Sequence, residues 1–252
     1  MRAMILAAGL GTRLRPLTEN RPKALVEVAG RTLLEITLAR LRSFGITDVI
    51  VNTHHFADMA REYLARNKNF GMNIAISHEE ILLDTGGGLK KAAYFFLEHP
   101  ANSEEPFLLH NVDVISTIDL GQMLQFHNEH QALATLAVQG RKTSRYLLFG
   151  PDSELCGRRS GRDSSVELVR PSQNVQALAF CGIHIISPRF LSMLSEEGAF
   201  SIIAAYLRAA AEGPKILGFR ADEYYWRDLG TPESVAQAAE DLQRRIKIPH
   251  AL

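Results

Sequence analysis

Cysteine is nearly absent. Cys156 and Cys181 are the only two in 252 residues, and no C-x-x-C spacing joins them. They read as reduced thiols of a cytoplasmic protein. No charge of one sign dominates either. Lys+Arg and Asp+Glu each number 28, so the formal net charge is zero. A protein that lives on a polyanion carries a basic excess, which argues against nucleic acid as the main partner. Nor is there a long apolar run. The first one, Ala3 to Ala8, is too short for a signal peptide's apolar region, and nothing approaches the ~18 residues of a membrane span. There is no internal repeat and no low-complexity tract. No Ser-His-Asp or Cys-His arrangement suggests covalent catalysis. His54, His55, His78, His110 and His127 share no repeating metal-ligand spacing.

What is present begins at residue 1. Ala3 to Ala8 reads as a buried strand, and it runs into Gly9-Leu-Gly11-Thr12-Arg13-Leu-Arg15 and then Arg21-Pro22-Lys23. Glycines let backbone N–H groups approach an anion, and Arg13, Arg15 and Lys23 add positive charge at the same strand end. The loop is therefore read as phosphate-handling. It is not a P-loop, because no lysine sits at the required spacing. It is not a dinucleotide fingerprint, because Leu14 stands where the third glycine belongs.

The first half of the chain alternates strand and helix. Thr32 with Glu35 forms a capping box ahead of a helix whose apolar face is Leu34, Leu38 and Leu41, and Gly45 ends it. Strands are expected at Asp48 to Asn52 and Met72 to Ser77, around a polar helix near residues 57–66. This β-α-β-α-β order predicts an α/β fold of Rossmann-like, doubly wound type. Its mainly parallel sheet would carry helices on both faces. Asp84-Thr85-Gly86-Gly87-Gly88 is read as a second glycine loop opening a helix over 89–98. Further strands are expected at 106–110, 132–138 and 177–186. The stretch 139–176 changes character, being rich in Arg, Ser and Gly. It reads as a small antiparallel excursion on the substrate side, with a mobile loop around 157–165.

Read as L-A-A-G-x-G-T-R-L-x-P-L-T followed by R-P-K-A-L, the opening strongly resembles the sugar-1-phosphate nucleotidyltransferases, or nucleoside-diphosphate-sugar pyrophosphorylases. Trp226-Arg-Asp228-Leu-Gly230-Thr resembles that family's W-x-D-x-G-T motif, and Phe180-Cys-Gly182-Ile-His184 its acceptor-sugar strand. The resemblance covers nearly the whole chain. It implies a single nucleotidyltransferase domain over 1–252, without the C-terminal β-helix that some members append. The partners it implies are an NTP and a sugar 1-phosphate, with no nucleic acid and no membrane.

The resemblance also implies roles. Arg13 and Lys23 would be catalytic. Leu6, Ala8, Gly9, Gly11, Thr12, Thr85, Gly86 and Gly87 would bind the nucleotide, with Glu79 reading the base edge. Asn111, Gly182 and Arg170 would meet the sugar phosphate, although Val169-Arg170-Pro171 stands where many members carry Glu-Lys-Pro. Asp113 and Asp228 would hold Mg²⁺, a hard cation that takes carboxylates, phosphate oxygens and water. Val112 replaces a glycine common before the first aspartate. A base-reading carboxylate favours GTP or UTP over CTP and ATP. The substrate motifs look most like the short N-acetylmuramate 1-phosphate uridylyltransferases, with mannose- and heptose-1-phosphate guanylyltransferases sharing much of the pattern. A non-catalytic nucleotide-sugar binder would have lost Arg13, Lys23 or an aspartate. A metal-dependent glycosyltransferase would need D-x-D, of which Asn111-Val-Asp113 is half.

Overall fold

The computed structural model describes residues 1–97, 104–160 and 165–243. Strand β1 (Ala3–Leu6) leads into the Gly9–Lys23 loop and a two-residue hairpin, β2 (Glu27–Val28) with β3 (Arg31–Thr32). Helix α1 (Leu33–Ser43) starts where Glu35 N–H donates to Thr32 Oγ1 at 3.1 Å. The reciprocal half of the expected capping box is missing. Glu35 instead takes hydrogen bonds from Arg31 and from the Tyr63 hydroxyl. Leu34, Leu38 and Leu41 are wholly buried, so truncating any one to alanine would cost about 2–5 kcal/mol.

The alternation continues with β4 (Asp48–Thr53), α2 (Ala57–Arg66) and β5 (Asn73–His78). Helix α3 (Asp84–Lys91) begins at the glycines themselves, five residues earlier than expected, and the short α4 (Tyr94–Leu97) follows. Then come β6 (Phe107–Asn111), β7 (Val114–Ser116), α5 (Leu120–Glu129) and β8 (Ala134–Gln139). The excursion is an antiparallel run of β9 (Arg145–Phe149), β10 (Leu155–Ser160) and β11 (Ser165–Leu168). Strand therefore replaces much of the loop expected over 157–165, and residues 161–164 lie outside the described ones. The chain closes with β12 (Gln176–Ile186), α6 (Arg189–Ser192), α7 (Ile202–Ala211), β13 (Ile216–Arg220), β14 (Trp226–Asp228) and α8 (Pro232–Gln243).

Ten strands form one sheet. Its main path is β11-β10-β9-β12-β6-β1-β4-β5, with β8 pairing β12 and β13. The β6-β1-β4-β5 portion is parallel, and β12 joins it antiparallel. Alternate side chains feed two cores. Ala3, Ile5, Val49, Val51 and Leu108 face one core with α1, α5 and α8. Met4, Ile50, Phe107 and Leu109 face the other, with α3 and α7. Both faces are thus covered, as a doubly wound parallel sheet requires. The carboxyl ends of β1, β4, β5 and β6 open on one edge, where such sheets bind ligands.

Candidate active site

Two adjoining depressions occupy that edge, and Asn111 lines both. The smaller, about 370 Å³, is walled by Leu6, Ala8, Gly9, Lys23, Asn52, Glu79, Asp84, Thr85 and Asp113, among others. The larger, about 1080 Å³, holds Arg13, Gly182, Trp226 and Asp228 with the excursion's Arg145, Tyr146 and Arg158.

Charges from both ends of the chain meet between them. Lys23 Nζ is hydrogen-bonded and ion-paired to Asp113 Oδ2. Strand β14 pairs antiparallel with β7, setting Asp228 opposite Val114, and Leu229 N–H donates to the Asp113 carbonyl at 2.8 Å. The two aspartates feel each other. Asp228 is pushed above the usual carboxylate range, first by burial and then by Asp113, against the pull of Lys23, the Gly230 N–H and Arg13. Among the described residues no three His, Cys, Asp or Glu converge as a metal cage. Asp113 and Asp228 are two hard oxygen donors with part of their negative charge still uncompensated, which fits a cation that completes its shell with phosphate oxygens and water.

Gly11 adopts φ +63°, which an L side chain rarely tolerates, and its carbonyl accepts from Thr18 Oγ1 at 2.8 Å. That turn sends Thr12 and Arg13 outward. Gly182 sits at φ +74° in the middle of β12, where a β-carbon would stand 2.8 Å from Asn111 Nδ2. The register of β12 against β8 shifts there.

Three of the expected site groups are engaged within the protein. Gly86, Gly87 and Gly88 form no open cradle. All three are buried in α3, and the Gly86 and Gly87 N–H groups donate to the Phe200 carbonyl at 2.9 and 3.3 Å. A β-carbon on Gly86 would fall 2.3 Å from the Phe200 ring, so these glycines permit close packing of protein on protein. Glu79 is 0% exposed although it lines the small pocket, and both its oxygens accept internal hydrogen bonds, from Asn52 Nδ2 at 2.7 Å and Leu83 N–H at 2.9 Å. Arg170 is absent from the walls of both depressions. It pairs with Glu154 and donates to the Ala210 and Gly213 carbonyls at 2.9 and 2.8 Å, bracing the carboxyl end of α7 against the excursion.

Other residues enter unannounced. Asp84 is an exposed carboxylate on the small pocket's rim, held at φ +58°. Its place just before Thr85-Gly86 was the available signal. Arg141 stacks 3.7 Å over the Trp226 ring and donates to the Phe180 carbonyl, and Trp226 Nε1 donates to the Cys181 carbonyl at 2.7 Å. Arg141, Arg145, Arg158 and Arg227 join Arg13 around the large depression, where Asp228 is the one carboxylate. Their scatter along the chain hid this convergence.

A glycine turn, two cations and two aspartates on the carboxyl edge of a mainly parallel sheet define an α/β protein with a site suited to phosphate groups. The chain belongs to the nucleotidyl transferase family, whose model matches residues 2–245. It is 34% identical over 252 residues to an N-acetylmuramate α-1-phosphate uridylyltransferase of Caulobacter vibrioides, covering 95% of this chain and 96% of that one. A mannose-1-phosphate guanylyltransferase of Mycobacterium tuberculosis is 30% identical over 257 residues, 99% of this chain and 67% of that one. The fold matches a UDP-glucose pyrophosphorylase complexed with UDP-glucose at a TM-score of 0.75 and 18% identity, over 97% and 98% of the two chains. The protein is a sugar-1-phosphate nucleotidyltransferase.

Proposed function

We propose that the chain transfers uridylyl from UTP to N-acetylmuramate 1-phosphate, releasing pyrophosphate, as a single-domain cytoplasmic enzyme using Mg²⁺. The observation that carries the choice of sugar is the arginine rim. Five arginines line the large depression; Arg158 is paired with Glu167 and Arg227 with Asp241, whereas Arg145 has no side-chain hydrogen bond or ion pair among the described residues. A mannose phosphate brings one anionic group. N-acetylmuramate 1-phosphate brings two, its phosphate and its lactyl carboxylate, and a planar guanidinium suits both. The choice of UTP leans on the Caulobacter relative.

The acceptor's phosphate oxygen is already anionic at neutral pH, so attack on the α-phosphorus needs no general base. Catalysis then consists of positioning and charge stabilisation. The small pocket takes the nucleoside and the large one the sugar, with Asn111 at their shared wall. Gly9, Gly11 and Thr12 follow the triphosphate, and Arg13 holds the phosphates that leave. Lys23 turns from Asp113 to the α-phosphate as charge develops there. Asp113 and Asp228 would hold the Mg²⁺, whose charge offsets that of the phosphates.

Pyrophosphate release over four NTPs and a panel of sugar 1-phosphates tests this. UTP with N-acetylmuramate 1-phosphate is expected to give the highest kcat/KM. Arg145→Ala should cut it roughly tenfold with little effect on mannose 1-phosphate, the scale of one charge-assisted hydrogen bond. Equal use of mannose 1-phosphate, or full activity in excess EDTA, would refute the corresponding part.

A further inference from the structure

Asn52 and Glu79 form part of the small pocket's floor, although only 3% and 0% exposed. Asn52 Oδ1 accepts from the Ala7 and Ala8 N–H groups at 2.6 and 3.2 Å. Its Nδ2 donates to Glu79 Oε1 at 2.7 Å, and Glu79 Oε2 accepts from Leu83 N–H at 2.9 Å. The orientation of the Asn52 amide is fixed by chemistry, because the two backbone N–H groups need an acceptor. Two side chains thus tie the end of β1, the end of β4 and the entrance to α3 into one relay. Gly88 leaves the room for it, since a β-carbon there would come within 2.7 Å of Glu79 Oε1 and 2.8 Å of Asn52 Nδ2.

We infer that Asn52 and Glu79 are positioning residues that fix the distance between the phosphate turn and the base-side rim, and that the Glu79 carboxylate acts through Asn52 and Leu83 rather than on the nucleobase. Every hydrogen bond of the relay has a defined direction, so the pair can be inverted. In Asn52→Asp a carboxylate still accepts from Ala7 and Ala8 but faces Glu79 with no proton between them. In Glu79→Gln the amide NH₂ group must point at either Leu83 N–H or Asn52 Nδ2, both donors. With both changes together, Asp accepts from Ala7, Ala8 and the Gln NH₂ group, and the Gln carbonyl accepts from Leu83. All four bonds return, with the carboxylate moved from position 79 to position 52.

The test is steady-state kinetics of N52D, E79Q and the double variant, with thermal melts. Each single variant should raise KM for the NTP roughly tenfold or more, the scale of one buried polar group left unpaired, while KM for the sugar phosphate holds. The double variant should return to within about threefold of the parent, with the parent's order of preference among the NTPs. A single variant with the parent's KM overturns the inference. So does a double variant that melts like the parent yet keeps the raised KM or changes its preferred base, since Glu79 itself would then read the base. Should the double variant not fold, Gly88→Ala crowds the pair without changing its donors and acceptors, and an unchanged KM for the NTP there overturns it equally. The inference rests on the small pocket holding the nucleotide. If it does not, Lys23→Ala will leave KM for the NTP unmoved as well, which separates that failure from failure of the relay.

Discussion

A β-carbon on Gly230 would stand 2.6 Å from Asp228 Oδ1 and 2.8 Å from Arg13 Nη2. Gly230→Ala therefore separates a cation and a carboxylate that the bare backbone lets approach. Turnover is expected to fall roughly 10–10²-fold, the cost of a small misplacement at a reacting centre, with stability changed by under about 1 kcal/mol. Steady-state kinetics beside a urea titration checks both. Arg13→Ala and Lys23→Ala remove charges outright, and each should lose roughly 10²–10³ in kcat while the melting curve keeps its shape. Near-parental kcat in either would take that residue out of the chemistry. At this scale the sequence was only partly legible. The opening loop and Asp228 stand in long ordered motifs, whereas the burial of Glu79 depends on Asn52, a partner 27 positions away that no local pattern announces.

Helix α3 is the element where pattern and structure part. Three successive glycines have poor helix propensity and read as an open loop. Tertiary packing overrides that preference, because only glycine lets α3 sit against Gly198, Phe200 and the Asn52–Glu79 pair. Gly86→Ala gains propensity but drives a methyl into the Phe200 ring, and overpacking is expected to win by about 1–3 kcal/mol. A urea midpoint that rises instead would show that Phe200 yields easily. The strands and helices around it were legible because their apolar runs and periodicities are strong. Arg170 departs from its pattern for the opposite reason to α3. A short tripeptide likeness suggested a ligand, but the carbonyls that occupy it arrive from the far end of α7.

At the scale of the fold, three histidines among the described residues are buried, His110, His127 and His184. Burial lowers His110 and His127 to about 4 and His184 to about 3. Unfolded histidine titrates near 6.5, so as pH falls below that the unfolded chain takes up protons that the folded chain refuses. Their contribution to stability is complete above about pH 6.5 and is lost progressively as pH drops toward about 4 and below. At pH 5 the loss is on the order of 2 kcal/mol per histidine, and unfolding there should take up about three protons. Urea unfolding at pH 7.5 and pH 5 measures it, and a flat profile would mean that these rings accept protons in the folded state.

Strand β1 carries the phosphate turn and lies in the interior of the sheet, with Ala3 beside Val49 on one flank and Leu108 on the other. The first flank is closed by a local β-α-β loop. The second waits until the chain has doubled back past α3 to deliver β6. During folding, the strand that will hold the catalytic turn is therefore for a time an open apolar edge, the kind of surface on which chains pair with each other instead of with themselves. The first strand in the sequence gains its second neighbour only from β6, whose Leu108 stands opposite Ala3. The speed of folding and the yield of soluble enzyme are thus tied to the arrival of one distant segment, and a lesion in β6 would be felt first as aggregation and only afterwards as lost catalysis.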